Sequence, residues 1–512
     1  MTIFNSHSLS KLLATCALGA VLVLQACQDH RLPPPTPELP DQIFYALTDD
    51  NRLYELNVQS TQTPLRTLTI TGLQSGELLL GIDFRPATGQ LYGIGNSSRL
   101  YHINLQSGAA TALGSGPFTP AISGSTVGFD FNPTVDRIRL VTSSTQNLRL
   151  HPETGAVAAT DGTLMGYMNP MIGAAAYTNN VAGATSTQLF DIDPMTDKLY
   201  LQDPPNDGGL KEIGLLGLDI TAVGGFDIAP NNNYGIASVQ FQGSWELNYV
   251  DLTTGRLQKL GDLPSGNIIG LAIPTNPVAY AVDQSNNLLI FNPMSNPLTL
   301  ITKPITGLPM GVSIEGIDFR PVNGQLHALG SNSVLYTINL SNGEAAERAT
   351  LSVMLSGTSF GVDFNPVPDR LRVVSNTGQN LRIDVSNGAT LTDGSLNILA
   401  PAMGVPFVNG AAYTNSFAGA TTTALYDIDS QSNKLYMQNP PNDGGLQEIG
   451  DLGVDVEAAN GFDIGGTSGN AYALLTVGGS TGLYSINLTN GMATKVADFP
   501  AQTKGFALGF GL

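Results

Sequence analysis

Gly81-Ile82-Asp83-Phe84-Arg85-Pro86 returns later in the chain as Gly316-Ile317-Asp318-Phe319-Arg320-Pro321, and this return decides the fold. Two further pairs follow in the same order and at nearly the same offset. Asp136-Arg137-Ile138-Arg139 returns as Asp369-Arg370-Leu371-Arg372, and Pro204-Pro205-Asn206-Asp207-Gly208-Gly209-Leu210 returns as Pro440-Pro441-Asn442-Asp443-Gly444-Gly445-Leu446. Matches this long, in order, mark an internal duplication. The first copy spans 43–273 and the second 274–512.

Each copy contains a finer unit. A strand-like motif begins at Leu53, Leu100, Leu148, Leu199, Leu247, Leu288, Leu335, Leu381, Leu435 and Leu483, ten times in all. A second marker, a small residue followed by apolar, Asp, apolar, begins at Gly81, Gly128, Gly225, Gly316, Gly361 and Gly461. Tight-turn dipeptides such as Ser107-Gly108, Asn342-Gly343 and Asn387-Gly388 join the third strand of a unit to its fourth, with Gly supplying the positive φ. Pro86, Pro133, Pro230, Pro321 and Pro366 open the turn from first strand to second. Four short antiparallel strands recurring every 40 to 50 residues are the pattern of β-propeller blades. The chain is therefore expected to be all-β, with about ten four-stranded blades in one ten-bladed ring or two five-bladed rings. The link Pro274-Thr275-Asn276-Pro277 is no longer than an ordinary turn, which favours the single ring. The first unit lacks a first strand and the chain ends in a solitary one, so Gly505 to Leu512 is expected to complete the first blade.

Composition agrees with this architecture. Of 512 residues only 12% are charged, while 58 are Gly and one is Trp, which leaves too few helix formers for a bundle or coiled coil. The 41 acids against 22 bases give a net charge of −19 and exclude a nucleic-acid-binding protein built on a basic face.

Residues 1–26 read as a lipoprotein signal peptide: one base, Lys11, then an apolar run from Leu12 to Leu24 too short to span a bilayer. Leu24-Gln25-Ala26-Cys27 has the arrangement of a bacterial lipobox, with Cys27 as the lipidated new N-terminus. Residues 27–42 carry the Pro-rich stretch Pro33-Pro34-Pro35-Thr36-Pro37, a stiff stalk. The other cysteine, Cys16, falls inside the signal, so the mature chain has no thiol available for a disulfide or a nucleophile. These features place the protein outside the cytoplasm, lipid-anchored to a bacterial envelope, at the outer membrane or cell surface rather than the cytoplasmic membrane.

Candidate site residues come from the repeats. Asp83, Asp130, Asp227, Asp318, Asp363 and Asp463 fall on the innermost strands, where they would line a channel able to bind a cation or a polyol. Their recurrence also fits a structural role, in which each accepts backbone N–H groups from the Pro turn or pairs with a repeat-borne Arg. Eight of the fourteen arginines are matched between copies, among them Arg137, Arg139, Arg370 and Arg372. Pairing with Asp83 or Asp130 is one reading of them and an anion or sugar-acid site the other. Asp207 and Asp443, in the Pro-Asn-Asp-Gly-Gly loops, offer oxygen ligands of the kind calcium takes, although a wide turn uses the same residues. No other cofactor is indicated.

Catalytic motifs are absent. His102, His151 and His327 are replaced in the other copy by Thr337, Asp384 and Tyr92, and no His pair has metal-ligand spacing. The repeated strings Gly-Ile-Asp-Phe-Arg-Pro, Asp-Arg-Ile-Arg and Pro-Asn-Asp-Gly-Gly resemble those of a bacterial family of exported repeat proteins, a domain of unknown function with propeller folds. The resemblance implies fold and export but no activity. Together these features point to a membrane-anchored, non-enzymatic lipoprotein whose propeller binds a protein or carbohydrate. The alternative is a propeller hydrolase or lyase acting on a carbohydrate or lactone through channel carboxylates, assisted by calcium.

Overall fold

In the computed structural model, residues 41–402 and 404–512 are described. Cys27, the signal peptide and most of the stalk lie outside them. The described chain forms ten sheets, nine of four antiparallel strands and one whose four antiparallel strands gain a short parallel fifth, Asn397–Ile398. Every Leu of the ten-fold motif falls on the third strand of its sheet. Strands form where apolar and β-branched residues alternate. They stop at Gly and Asn positions that adopt positive φ, including Gly108, Gly343 and Gly388.

The ten blades close as two rings of five. In the first ring the innermost strands Leu79–Phe84, Val127–Asn132, Ala174–Tyr177, Ala222–Ile228 and Ile268–Ala272 pack in that order and return to the start. The second ring repeats the circuit through Ile314–Arg320, Phe360–Asn365, Val408–Tyr413, Ala458–Ile464 and Thr503–Leu508. Glycine sets the approach. A Cβ on Gly128 would lie 2.6 Å from the Cβ of Ala175, and one on Gly361 2.7 Å from the backbone N of Ala411.

Two expectations are corrected here. The terminal strand Thr503–Leu508 pairs with Ala279–Asp283 and so completes the sixth blade, while the first blade is completed by Ile268–Ala272 pairing with Ile43–Thr48. Each copy thus closes on itself, and the single ring favoured by the short link is replaced by two. The physical reason is that the rings meet through the turns joining first to second and third to fourth strands. The Arg85 guanidinium donates to the Gly324 carbonyl (3.0 Å), the Tyr280 hydroxyl to the Ala87 carbonyl (2.7 Å), and the Gly511 N–H to the Thr88 carbonyl (3.0 Å). Ile268–Ala272 ends on that shared face and Ala279–Asp283 begins on it, so a link of turn length suffices.

Each blade-to-blade layer buries its own apolar set. Phe129, Phe131, Ile138 and Leu140 pack against Tyr92 and Ile94 of the preceding blade, and Ala87 of the first ring joins Val278, Tyr280 and Phe510 of the second. Added volume at the inner strands has nowhere to go. Gly128→Ala or Gly361→Ala is expected to cost about 1–3 kcal/mol through overpacking. Gly116→Ala, where a Cβ meets nothing within 4 Å, should stay within about 0.5 kcal/mol of wild type. Denaturant melts of the three variants test the contrast.

Candidate functional site

The ring centres hold the six aspartates singled out from the repeats. Asp83, Asp130 and Asp227 are buried together, each with a carboxylate oxygen within 4.8 Å of the others, and Asp318, Asp363 and Asp463 form the same triad in the second ring. Their hydrogen bonds show what they do for the fold. Asp83 accepts the N–H of Phe84 and the N–H of Phe131 on the next blade, both at 2.7 Å. Asp227 likewise takes Ile228 and Ile273, both at 2.6 Å, while Asp130 accepts Tyr177 alone, at 3.0 Å. The second ring copies every bond: Asp318 to Phe319 and Phe364, Asp463 to Ile464 and Leu508, and Asp363 to Tyr413. Neighbouring blades supply the bonds that were expected from the Pro turns.

Three carboxylates this close and fully buried cannot all stay ionised unaided. Burial, with the neighbouring acids adding to it, pushes Asp83 and Asp130 well above the ordinary carboxylate range. Burial also pushes Asp227 up to about 7. Asp318 and Asp363 follow the same pattern, and Asp463 is pushed up to about 7. Either shared protons or a cation can neutralise such a group. Calcium takes carboxylate oxygens of this kind at about 2.3–2.6 Å. Protonation has a preferred place, because Asp130 and Asp363 each accept one backbone N–H where the other members accept two.

The arginines find partners other than the triads. Arg139 is buried and donates to Tyr177, Asn147, Asp161 and Asn206, and Arg149 makes a two-point pair with the same Asp161. Arg372 and Arg382 repeat this around Asp393, Asn380, Asn442 and Tyr413. Arg85 pairs with Asp136 and Glu153, Arg320 with Asp369, and Arg370 with Asp384. Arg137 donates to the backbone carbonyl of Asp136. The repeat-borne arginines are therefore committed to fixed acids and loop carbonyls.

The Pro-Asn-Asp-Gly-Gly loops take part in the same clamp. Pro205–Asp207 and Pro441–Asp443 form single 3-10 turns, each ended by a left-handed glycine, Gly208 or Gly444. Asn147 and Asn380 donate to the Pro205 and Pro441 carbonyls. Asp207 and Asp443 themselves are exposed. Among the described residues, the acidic groupings able to hold a metal ion are the two triads.

Sequence reasoning passed over a second kind of buried acid. Asp191 and Asp427 are fully buried, neither oxygen has a partner, and burial pushes both up to about 8, with Arg139 and Arg372 pulling the other way. A retained Asp within the apolar strands Leu189–Asp193 and Leu425–Asp429 was the available signal.

Between the rings lies a cavity of about 210 Å³, lined by residues of both copies, His102 and Phe510 among them. His102 is 2% exposed and neither ring nitrogen has a partner. The histidines were read only for metal spacing, so its place between the rings was not foreseen.

Residues 52–272 and again residues 287–508 match a protein family described as a domain of unknown function, DUF4394. No curated protein matches the chain. Among solved structures, the extracellular domain of a putative one component system, BT4673 from B. thetaiotaomicron, is similar at 15% identity and a TM-score of 0.24; the match covers 92% of this chain and 62% of that one. The Dos1 propeller is similar at 12% identity and a TM-score of 0.26, over 65% of this chain and 90% of the other.

The triads set a pH dependence. Carboxyls raised in the folded state above their unfolded value of about 3.9 stabilise the fold fully below that value, and the contribution is lost as pH rises through the folded pKa. In chelator, the melting temperature should therefore fall as pH is raised through about 7, the value for Asp227 and Asp463. Asp130→Asn combined with Asp363→Asn keeps the single accepted N–H and stands in for the protonated acids, so the fall near pH 7, which belongs to Asp227 and Asp463, should remain. Asp83→Asn loses one of two accepted N–H groups and should lower the melting temperature even at pH 5. A double variant that loses the fall near pH 7 would refute this assignment of the proton.

Proposed function

The chain belongs to the DUF4394 family in two tandem copies, and on that premise we propose that it is an exported lipoprotein whose paired propellers form a binding module rather than an enzyme. The observation that supports this reading is the state of the channel carboxylates. All six are buried and bonded to the backbone of the neighbouring blade, and four of them to their own blade as well. A glycosidase-type pair needs one carboxyl to protonate a leaving group and another to reach the sugar or a water, both open to substrate. Carboxylates engaged in holding blades together do not offer that access. The triads would take calcium or shared protons as a structural requirement of the ring.

The address rests on the signal peptide, Leu24-Gln25-Ala26-Cys27 and the Pro-rich stalk. Several acyl chains on one N-terminus hold a protein stably at a membrane, where a single chain binds marginally. Among the described residues no helix is long and apolar enough to cross a membrane, a statement that leaves β-barrels aside. The partners proposed are the membrane, through Cys27, and a protein or carbohydrate ligand at the propellers.

Labelled palmitate is expected in the wild type and not in Cys27→Ala; a labelled Cys27→Ala protein would refute the anchor. Purified protein screened against glycan arrays and lactones, with and without chelator, should show binding without turnover. Turnover abolished by Asp83→Asn together with Asp318→Asn would establish the hydrolase or lyase reading instead.

A further inference from the structure

The cavity between the rings differs from the ring centres in every chemical respect. No Lys, Arg, Asp or Glu lines it. A charged ligand would have to leave water without a counter-charge. Three lining side chains nevertheless carry buried polar atoms with no partner: both ring nitrogens of His102, Oε1 of Gln90 and Oγ1 of Thr275. Buried polar groups are nearly always satisfied by protein, water or ligand, so a cluster of unsatisfied ones around a single space marks a place for polar atoms that the chain does not supply.

The chemistry of these groups narrows the occupant. His102 packs edge-on against Tyr92 with ring centroids 4.6 Å apart, and burial together with the Arg85 charge pulls its pKa down to about 3. A neutral imidazole presents one N–H donor and one bare nitrogen acceptor. Gln90 adds an acceptor, and the Thr275 hydroxyl can act either way. Hydroxyl groups, which both donate and accept, match such a set; carboxylates and ammonium groups do not. The remaining walls include the aromatic rings of Tyr45, Phe417 and Phe510. A space of about 210 Å³ corresponds to about seven waters at ~30 Å³ each. This is the size of a single sugar ring, which has hydroxyls at its edge and C–H groups on its faces.

We propose that the inter-ring cavity binds one neutral, hydroxyl-rich small molecule of the monosaccharide class, held by His102, Gln90 and Thr275 against the aromatic walls. Tyr45, Gln90 and His102 come from the first ring and Phe417 and Phe510 from the second, so the site exists only because the two copies are paired. It occurs once per chain, because the counterpart of His102 is Thr337. The inference deepens the binding-module reading by giving that module a location and a ligand class.

The test uses the full chain in detergent and a panel of free D-glucose, D-galactose, D-mannose and N-acetyl-D-glucosamine, with D-glucuronate as the charged member. Binding is followed by saturation-transfer NMR and calorimetry. At least one neutral sugar should bind with one site per chain, glucuronate at least tenfold more weakly. His102→Phe, with melting temperature and circular dichroism as in wild type, should weaken binding tenfold or more. Gln90→Leu serves in the same way should His102→Phe fail to fold. Absence of binding by every neutral sugar overturns the site and leaves the module reading to the glycan arrays. Binding that both folded variants retain, or that glucuronate equals, overturns the site while supporting a module that binds elsewhere.

Discussion

Each ring depends on a carboxylate that reaches from one innermost strand to the backbone of the next. An innermost strand has a neighbour on one side only, and its inner edge carries N–H groups that no strand can satisfy. Asp83, Asp130 and Asp227 each accept such an N–H from the following blade. The same bond satisfies an orphan donor and fixes the spacing between blades. Its geometry requires the strands to lie close together, which is why glycine precedes the Asp by two positions at Gly81, Gly128 and Gly225.

The clasp also limits itself. Of the five junctions in a ring, three carry Asp and two carry Ala, at Ala176 and Ala272 in the first ring and Ala412 and Ala507 in the second. Five carboxylates in so narrow a centre could not all stay ionised, and even three are driven towards protonation. At one of the two open junctions in the first ring, the Asn180 amide crosses between blades in the opposite sense, donating to Asp227 and to the Ile228 carbonyl.

Blade number, strand identity and turn chemistry were legible in the sequence because each depends on residues a few positions apart: the Leu motif, the Gly-bearing hairpins and the Pro-led turns. Ring number was not legible, because it depends on which distant strand closes which blade, and Gly505 to Leu512 could pair equally well on local grounds with Ile43–Thr48 or with Ala279–Asp283. The inner-strand Asp residues are visible in the repeat, but the donors that tie one blade to the next lie 45 to 50 residues away in sequence. The arginines taught the converse. Repeat matching pointed to fixed partners, and these are Asp136, Asp161 and their counterparts rather than the triad carboxylates. Asp191 and Asp427 are marked only by their apolar strand neighbours, because their burial depends on the packing of the adjoining blade.

The duplication explains where the two copies agree and where they part. The backbone bonds of the triads and the Arg139 and Arg372 clamps, which serve a single ring, are the same in both copies down to the loop carbonyls. Groups at the shared face differ. Arg85 is fully buried and reaches Asp136, Glu153 and the Gly324 carbonyl, whereas its counterpart Arg320 is 23% exposed and pairs with Asp369 alone. The rings therefore do not meet as equivalent halves about a two-fold axis, which would give Arg320 the same burial as Arg85. Once the faces are inequivalent, a residue and its copy stand in different surroundings, and His102 with Thr337 or Tyr92 with His327 need no longer match. A cavity at that face can then hold a single arrangement of donors and acceptors per chain, something that neither ring alone, nor a symmetric pair, would contain.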